Sequence, residues 1–220
     1  MLSLGQAVHS TPDTGSTLPN PFGNLTQRGV QLRRGELHLL CARPANGKSA
    51  FALSLALKMK VPTLYLCPDT TAKTQMMRTV AQAEGRALWE VEREIDDDPV
   101  GVAERAKSAH PGLFWSFNTE SLRDIDNEVM AYQEVFGTPP AFLIVDNLID
   151  IAIQDGDEWG GNRKTLRELK GLAKELSMCV LVLHHVSESV LTKKDGAPAS
   201  RDILGKDNRL AALVLTMGID

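Results

Sequence analysis

Between the apolar run Leu37-His38-Leu39-Leu40-Cys41 and a helical pattern extending from about Gly47 to Lys60 lies the segment Ala42-Arg43-Pro44-Ala45-Asn46-Gly47-Lys48-Ser49. A turn between a strand and a helix gathers backbone N–H groups around an anion, and the helix start adds the positive end of its dipole. Gly47 permits close backbone approach, Lys48 can reach the β- and γ-phosphates, and the Ser49 hydroxyl can ligate Mg²⁺. These are the requirements of a nucleoside triphosphate. Ala42 stands where the strict pattern has glycine, and a small residue can still make the turn if its backbone angles allow. The plain alternative is that Gly-Lys-Ser only opens a helix after a polar turn. It leaves the strand before and the amphipathic helix after as coincidence.

A triphosphate site also needs an acid at the end of an apolar strand, beside the phosphates, to hold the metal through water. Leu143-Ile144-Val145-Asp146 supplies one. Alone, Asp146 reads better as a turn residue closing a strand. With the 42–49 segment it meets a second requirement of the same site, in the expected order.

The elements that must position these groups alternate. Strand-length apolar runs occur at 37–41, 63–67, 113–117, 141–145, 179–183 and 211–216, separated by helical patterns at 47–60, 71–84, 120–136 and 164–176. A charged stretch from Trp89 to Lys107 reads as one or two more helices, broken at Asp96-Asp97-Asp98-Pro99. Ala141 to Val145 is apolar on both faces, as a strand covered by helices on both sides must be. The fold class is therefore α/β, a mostly parallel central sheet with helices on both faces. Residues 1–28 are rich in Ser, Thr, Pro, Gly and Asn and read as a polar arm or linker; residues 29–220 form the domain. A loop is expected from Asp150 to Asn162.

Composition narrows the function classes. The chain has 220 residues and is 43% hydrophobic, enough to close one core. Lys plus Arg is 24 against 28 for Asp plus Glu, a net charge of −4, so no overall basic field exists and a nucleic acid would need a local patch or an assembled channel. Cys41, Cys67 and Cys179 lie in apolar runs, which suits buried thiols in a reducing compartment. No targeting sequence or membrane-length apolar run is present, so the chain is expected to be cytoplasmic with no membrane partner.

Ala42-Arg43-Pro44, then Gly47-Lys48-Ser49-Ala50-Phe51-Ala52-Leu53, together with Glu36-Leu37 and Lys170-Gly171-Leu172-Ala173-Lys174-Glu175-Leu176, resemble the RecA-type P-loop ATPase core of the DnaB-like hexameric replicative helicases. The resemblance spans roughly Phe22 to Met217. It implies ATP and Mg²⁺ as cofactors, single-stranded DNA as a partner, a hexameric ring of copies, and contacts with other replication proteins. In that family a carboxylate after the second strand, usually Glu, polarises the attacking water; the matching residue is Asp69, one methylene shorter. Its competing reading is an Asx turn opening the next helix. A polar residue ending the fifth strand senses the γ-phosphate; His184-His185 occupies that place, with His185 the closer match. An imidazole can donate one hydrogen bond to a phosphate oxygen.

The resemblance places the DNA-facing loops after the fourth and fifth strands. Asp150 to Asn162 is acidic, whereas Ser187 to Ser200 carries Lys193 and Lys194 at a flexible tip suited to gripping phosphates; ordinary solubility is an equal account of two lysines. The family's N-terminal helical domain and its late Lys-x-Arg pair, which acts on the neighbouring subunit, have no counterpart in this sequence. Arg201 and Arg209, basic residues near the end, are the candidates for acting in trans on a neighbouring subunit. A truncated C-terminus and a minimal, phage-encoded relative are the two explanations. The rival function is a RecA-, KaiC- or RepA-like DNA-binding ATPase or recombination mediator that does not unwind.

Overall fold

The computed structural model describes residues 15–119, 121–148, 158–186 and 209–218. Its strands are β1 (Leu37–Ala42), β2 (Thr63–Leu66), β3 (Leu113–Ser116), β4 (Phe142–Val145), β5 (Cys179–His185) and β6 (Leu213–Met217). The helices are α1 (Gly23–Gln27), α2 (Lys48–Met59), α3 (Ala72–Glu84), α4 (Leu88–Asp97), α5 (Pro99–Ala109), α6 (Leu122–Phe136) and α7 (Glu158–Glu175). The strands form one sheet in the order β3-β2-β4-β5-β1-β6, every neighbouring pair parallel. This is the α/β architecture expected from the sequence.

Alternation along the strands sorts the core into two faces. Leu37, Leu39, Cys41, Leu143, Val145, Val180 and Val182 pack against Ile125 and Val129 of α6 and Leu166, Leu169 and Ala173 of α7. Their neighbours Leu40, Phe142, Ile144, Leu181 and Leu183 pack against Ala52, Leu53, Leu55 and Ala56 of α2. The central strands β1, β2 and β4 are buried along their whole length. All three cysteines are buried and none is in a disulfide.

Away from the sheet, α3, α4 and α5 share a smaller cluster of Met77, Val80, Ala81, Val91, Ile95 and Val102. The break expected at 96–99 is a junction: Asp98 ends α4, its carboxylate accepts from the Gly101 N–H to cap α5, and Pro99 takes the first helical position. At the other end of the described chain, Thr17 pairs with Arg33 in an antiparallel bridge, the Leu18 N–H donates to the Leu32 carbonyl, and Phe22 stacks on Phe51 of α2 at 5.4 Å. Leu18 and Leu32 are both buried in the α2-side core.

The largest boundary difference from the sequence reading falls at the start of α7. Glu158–Asn162, expected as loop, belongs to α7, which begins six residues before Lys164. The Gly160-Gly161 pair costs about 1 kcal/mol per residue relative to alanine in a helix, so propensity argues against it. Packing overrides that preference, with Gly161 and Asn162 buried and Leu166 and Leu169 seated on the sheet. β5 also runs on through the histidine pair. Among the described residues no helix is long and apolar enough to cross a membrane.

Candidate active site

In an open parallel sheet, ligands meet the carboxyl ends of the strands. Here three adjacent strands, β4, β5 and β1, end beside the start of α2. Ala42, the last residue of β1, is opposite His185 of β5. Asp146 follows β4 directly, and its N–H donates to the Leu66 carbonyl of β2.

The 42–49 segment makes its turn without a glycine at position 42. The left-handed residues are Ala45 (φ 61°) and Gly47 (φ 76°), and Ala42 remains in the strand, where alanine fits without strain. Gly47 is the residue in front of the first turn of α2, so the left-handed angle that glycine tolerates falls where the loop becomes helix. This explains how the departure from the strict motif is accommodated.

Lys48 is buried, and its ammonium donates to the carbonyls of Ala42 (3.3 Å) and Arg43 (3.2 Å), with His185 Nδ1 at 3.5 Å. An ammonium has only donors, so Nδ1 faces it as the acceptor and the imidazole proton sits on Nε2. Burial lowers the Lys48 pKa, opposed by the charge of Asp146. Burial and the nearby Lys48 charge lower that of His185, opposed by Asp69. His185 is therefore neutral near pH 7, with one N–H to donate. Alternation explains why it, and not His184, faces α2: His185 shares the parity of Leu181 and Leu183, whereas the buried His184 shares that of Val180 and Val182.

Asp146 shares the parity of Phe142 and Ile144 and so lies on the α2 face. It is hydrogen-bonded to the side chains of Ser49 and Tyr65. Burial raises its pKa; the two hydrogen bonds and Lys48 pull it down, while Asp69 pushes it up. A serine hydroxyl beside a carboxylate is a hard, all-oxygen donor pair. It fits Mg²⁺, which usually keeps several waters and takes one or two protein oxygens besides phosphate.

Asp69 is exposed just past β2, within electrostatic reach of both Asp146 and His185. The cap of the helix that follows, α3, is Thr71, whose hydroxyl accepts from the Thr74 N–H. Lys193, Lys194 and Arg201, with most of the acidic 150–162 loop, lie outside the described residues.

Sequence reasoning misses two features of the site. Tyr65 reads only as part of a strand; its signal is a phenol hydroxyl in a largely apolar run, which needs a partner when buried. The other is the wall of a cleft of about 550 Å³, lined by Ala45, Gly47, Lys48 and Ser49 on one side and by Arg78, Gln82, Arg86 and Leu88 on the other. Gln82 donates to the Ala50 carbonyl at 3.1 Å, tying α3 to the first turn of α2.

Comparison with known proteins agrees with this geometry. The chain matches the family DnaB-like helicase C terminal domain over residues 18–208. It is 32% identical to the Gene 65 protein of Mycobacterium phage L5, over 99% of this chain and 82% of that protein. It is 25% identical to the replicative DNA helicase DnaB of Geobacillus stearothermophilus, over 90% of this chain and 46% of that protein. Among solved structures, a DnaB-like replicative helicase studied with its interactions with primase superimposes with a TM-score of 0.77 at 19% identity, over 96% of this chain and 54% of the other. The chain thus spans about half the length of that helicase. The sheet order, the strand-end cluster around Lys48 and the family match lead to one conclusion: this chain belongs to the DnaB-like helicase C-terminal domain family.

Proposed function

We propose that the chain is the ATP-hydrolysing core of a replicative helicase, binding ATP with Mg²⁺ at residues 42–49 and working in a hexameric ring of copies on single-stranded DNA in the cytoplasm. The observation that supports this best is the convergence of Lys48, Ser49, Asp146 and His185 on the start of α2 from the ends of three adjacent strands. Phosphoryl transfer depends mostly on positioning and electrostatics, and this cluster supplies both. Mg²⁺, when bound, supplies positive charge to the phosphate oxygens.

Each residue has a role in this reading. The N–H groups of Ala45 to Ser49 bind the phosphates at the positive end of α2. The Lys48 ammonium exchanges the Ala42 and Arg43 carbonyls for phosphate oxygens as charge develops. Ser49 and Asp146 hold the metal, Asp69 orients the attacking water, and His185 donates from Nε2 toward the terminal phosphate. Lys193 and Lys194 grip the DNA backbone. Other replication proteins are partners by the same reading, since the solved DnaB-like helicase that shares this fold interacts with primase.

A second reading, a DNA-binding ATPase or recombination mediator without unwinding, is favoured by Asp69 standing where the family usually has the longer Glu. Phosphate release with and without single-stranded DNA, run beside strand displacement on a forked duplex, separates the two. DNA-stimulated hydrolysis with displacement is the expected result. Stimulated hydrolysis without displacement selects the second reading, and no ATP hydrolysis in any assembled state defeats both.

A further inference from the structure

We propose that Tyr65 is a positioning residue for the metal-holding carboxylate, its hydroxyl fixing the rotation of Asp146 from beneath the site. The inference rests on the reading of Asp146 as a holder of Mg²⁺. Tyr65 is fully buried, and its hydroxyl donates to Asp146 Oδ2 at 2.8 Å. The same hydroxyl oxygen is 3.4 Å from the Ser49 carbonyl, so one phenol spans the end of β4 and the first turn of α2. A hydroxyl has one proton to give, and the shorter contact to a carboxylate takes it.

The ring is clamped where it stands. Tyr65 is opposite Ile144 of β4 on one side and Trp115 of β3 on the other, and the Trp115 ring stacks on it at 4.5 Å and 29°. Trp115 in turn stacks on Phe117 at 6.3 Å and 10°. A ring held between two strands cannot swing away, so the direction of its O–H is as fixed as the sheet. Phenylalanine would fill the same space, which leaves the hydroxyl as the feature needing an explanation. Carboxylates that ligate metals are themselves held by hydrogen bonds, and losing such a partner costs roughly 10- to 100-fold in metal affinity or activity.

Tyr65→Phe tests this, with nucleotide binding followed by a fluorescent ATP analogue as Mg²⁺ is titrated. The expected result is about a tenfold rise in half-saturating Mg²⁺, unchanged affinity for the nucleotide in EDTA, a melting temperature close to that of the parent, and hydrolysis restored by excess Mg²⁺. Asp146→Asn runs alongside. A Tyr65→Phe titration that superimposes on the parent while Asp146→Asn weakens the metal dependence overturns the inference and spares the ATP–Mg²⁺ reading. Superimposable titrations for both variants overturn both.

A second measurement needs no substitution at Tyr65. The chain has two tyrosines, and the other, Tyr132, is in the core on the opposite face of the sheet. With 3-fluorotyrosine incorporated, adding Mg²⁺ to the nucleotide-bound protein should shift the Tyr65 fluorine resonance and leave that of Tyr132, assigned with Tyr132→Phe, in place. A Tyr65 resonance indifferent to Mg²⁺ overturns the inference.

Discussion

The middle of the sheet and the α3–α5 layer are held in different ways. β1, β4 and β5 are threaded through the apolar interior, and the polar groups at their ends are locked by specific contacts to Lys48, Ser49 and Tyr65. The α3–α5 layer has a small core of its own, joined by a half-buried ring of charges. In that ring Arg86 contacts Glu84 (3.0 Å) and Glu94 (2.8 Å), and Arg105 contacts the same two acids at 3.0 and 2.6 Å. Groups that need fixed geometry for chemistry are attached to the rigid part. The Arg78, Gln82 and Arg86 wall is attached to the part held more lightly, where a ligand can be accommodated by adjustment.

Substitutions can break this comparison. The largest effect is expected from Lys48→Ala, which should lower ATP turnover by about 100- to 1000-fold, the scale of losing one electrostatic stabiliser, with the thermal melt little changed. Phosphate release measured beside calorimetry checks both halves, and undiminished turnover would contradict the role given to Lys48. Next comes the core. Ile144→Ala, at a fully buried β4 position, should cost roughly 4 kcal/mol in a denaturant titration. Val91→Ala in the α4 cluster should cost roughly 2 kcal/mol. Equal losses per carbon removed, three from Ile144 and two from Val91, would mean that the two cores are equally dense.

The third test is a pH profile. Burial holds the His38 pKa down at about 4 against its ordinary 6.5, and its Nε2 accepts from the Arg33 N–H. Protonation therefore favours the unfolded chain. This contribution is complete above pH 6.5 and is lost as pH falls toward 4, by about 1.4 kcal/mol per unit and about 3 kcal/mol in all. His38→Gln should flatten that part of the stability profile; an unchanged slope would assign it to other groups. The smallest effect belongs to the charge ring. Arg105→Gln should lower the melting temperature slightly in dilute buffer and by less in high salt, since half-buried ion pairs are screened in part. A salt-independent loss would show that the ring is less solvated than its exposure indicates.

The strands and the order of the site are legible because buried parallel strands are apolar runs with clear ends, and Gly47-Lys48-Ser49 and Asp146 each follow one of them. Ala42 obscures the motif only to a literal search, since the backbone needs its left-handed residues at 45 and 47. What stays hidden depends on which way a side chain turns. In the run Thr63 to Leu66 the hydroxyl residues Thr63 and Tyr65 alternate with leucines and so share a face, but nothing in the run shows that this face is the one on which Asp146 lies. The start of α7 is hidden for a different reason: glycines that disfavour a helix locally are tolerated where the sheet supplies the packing. Arg78, Gln82 and Arg86 carry no motif and come to the cleft only through the placement of α3.

The aligned ends of β4, β5 and β1 work like the teeth of a key. Val145 is level with Val182 and Ala42 with His185, so one extra residue inside β4 would turn Asp146 over to the α6–α7 side of the sheet. The same insertion at Gly137-Thr138, in the exposed link before β4, would leave every tooth in place. Length changes are thus tolerated at one pole of the molecule and forbidden at the other, which tells an engineer where a tag or a graft can go.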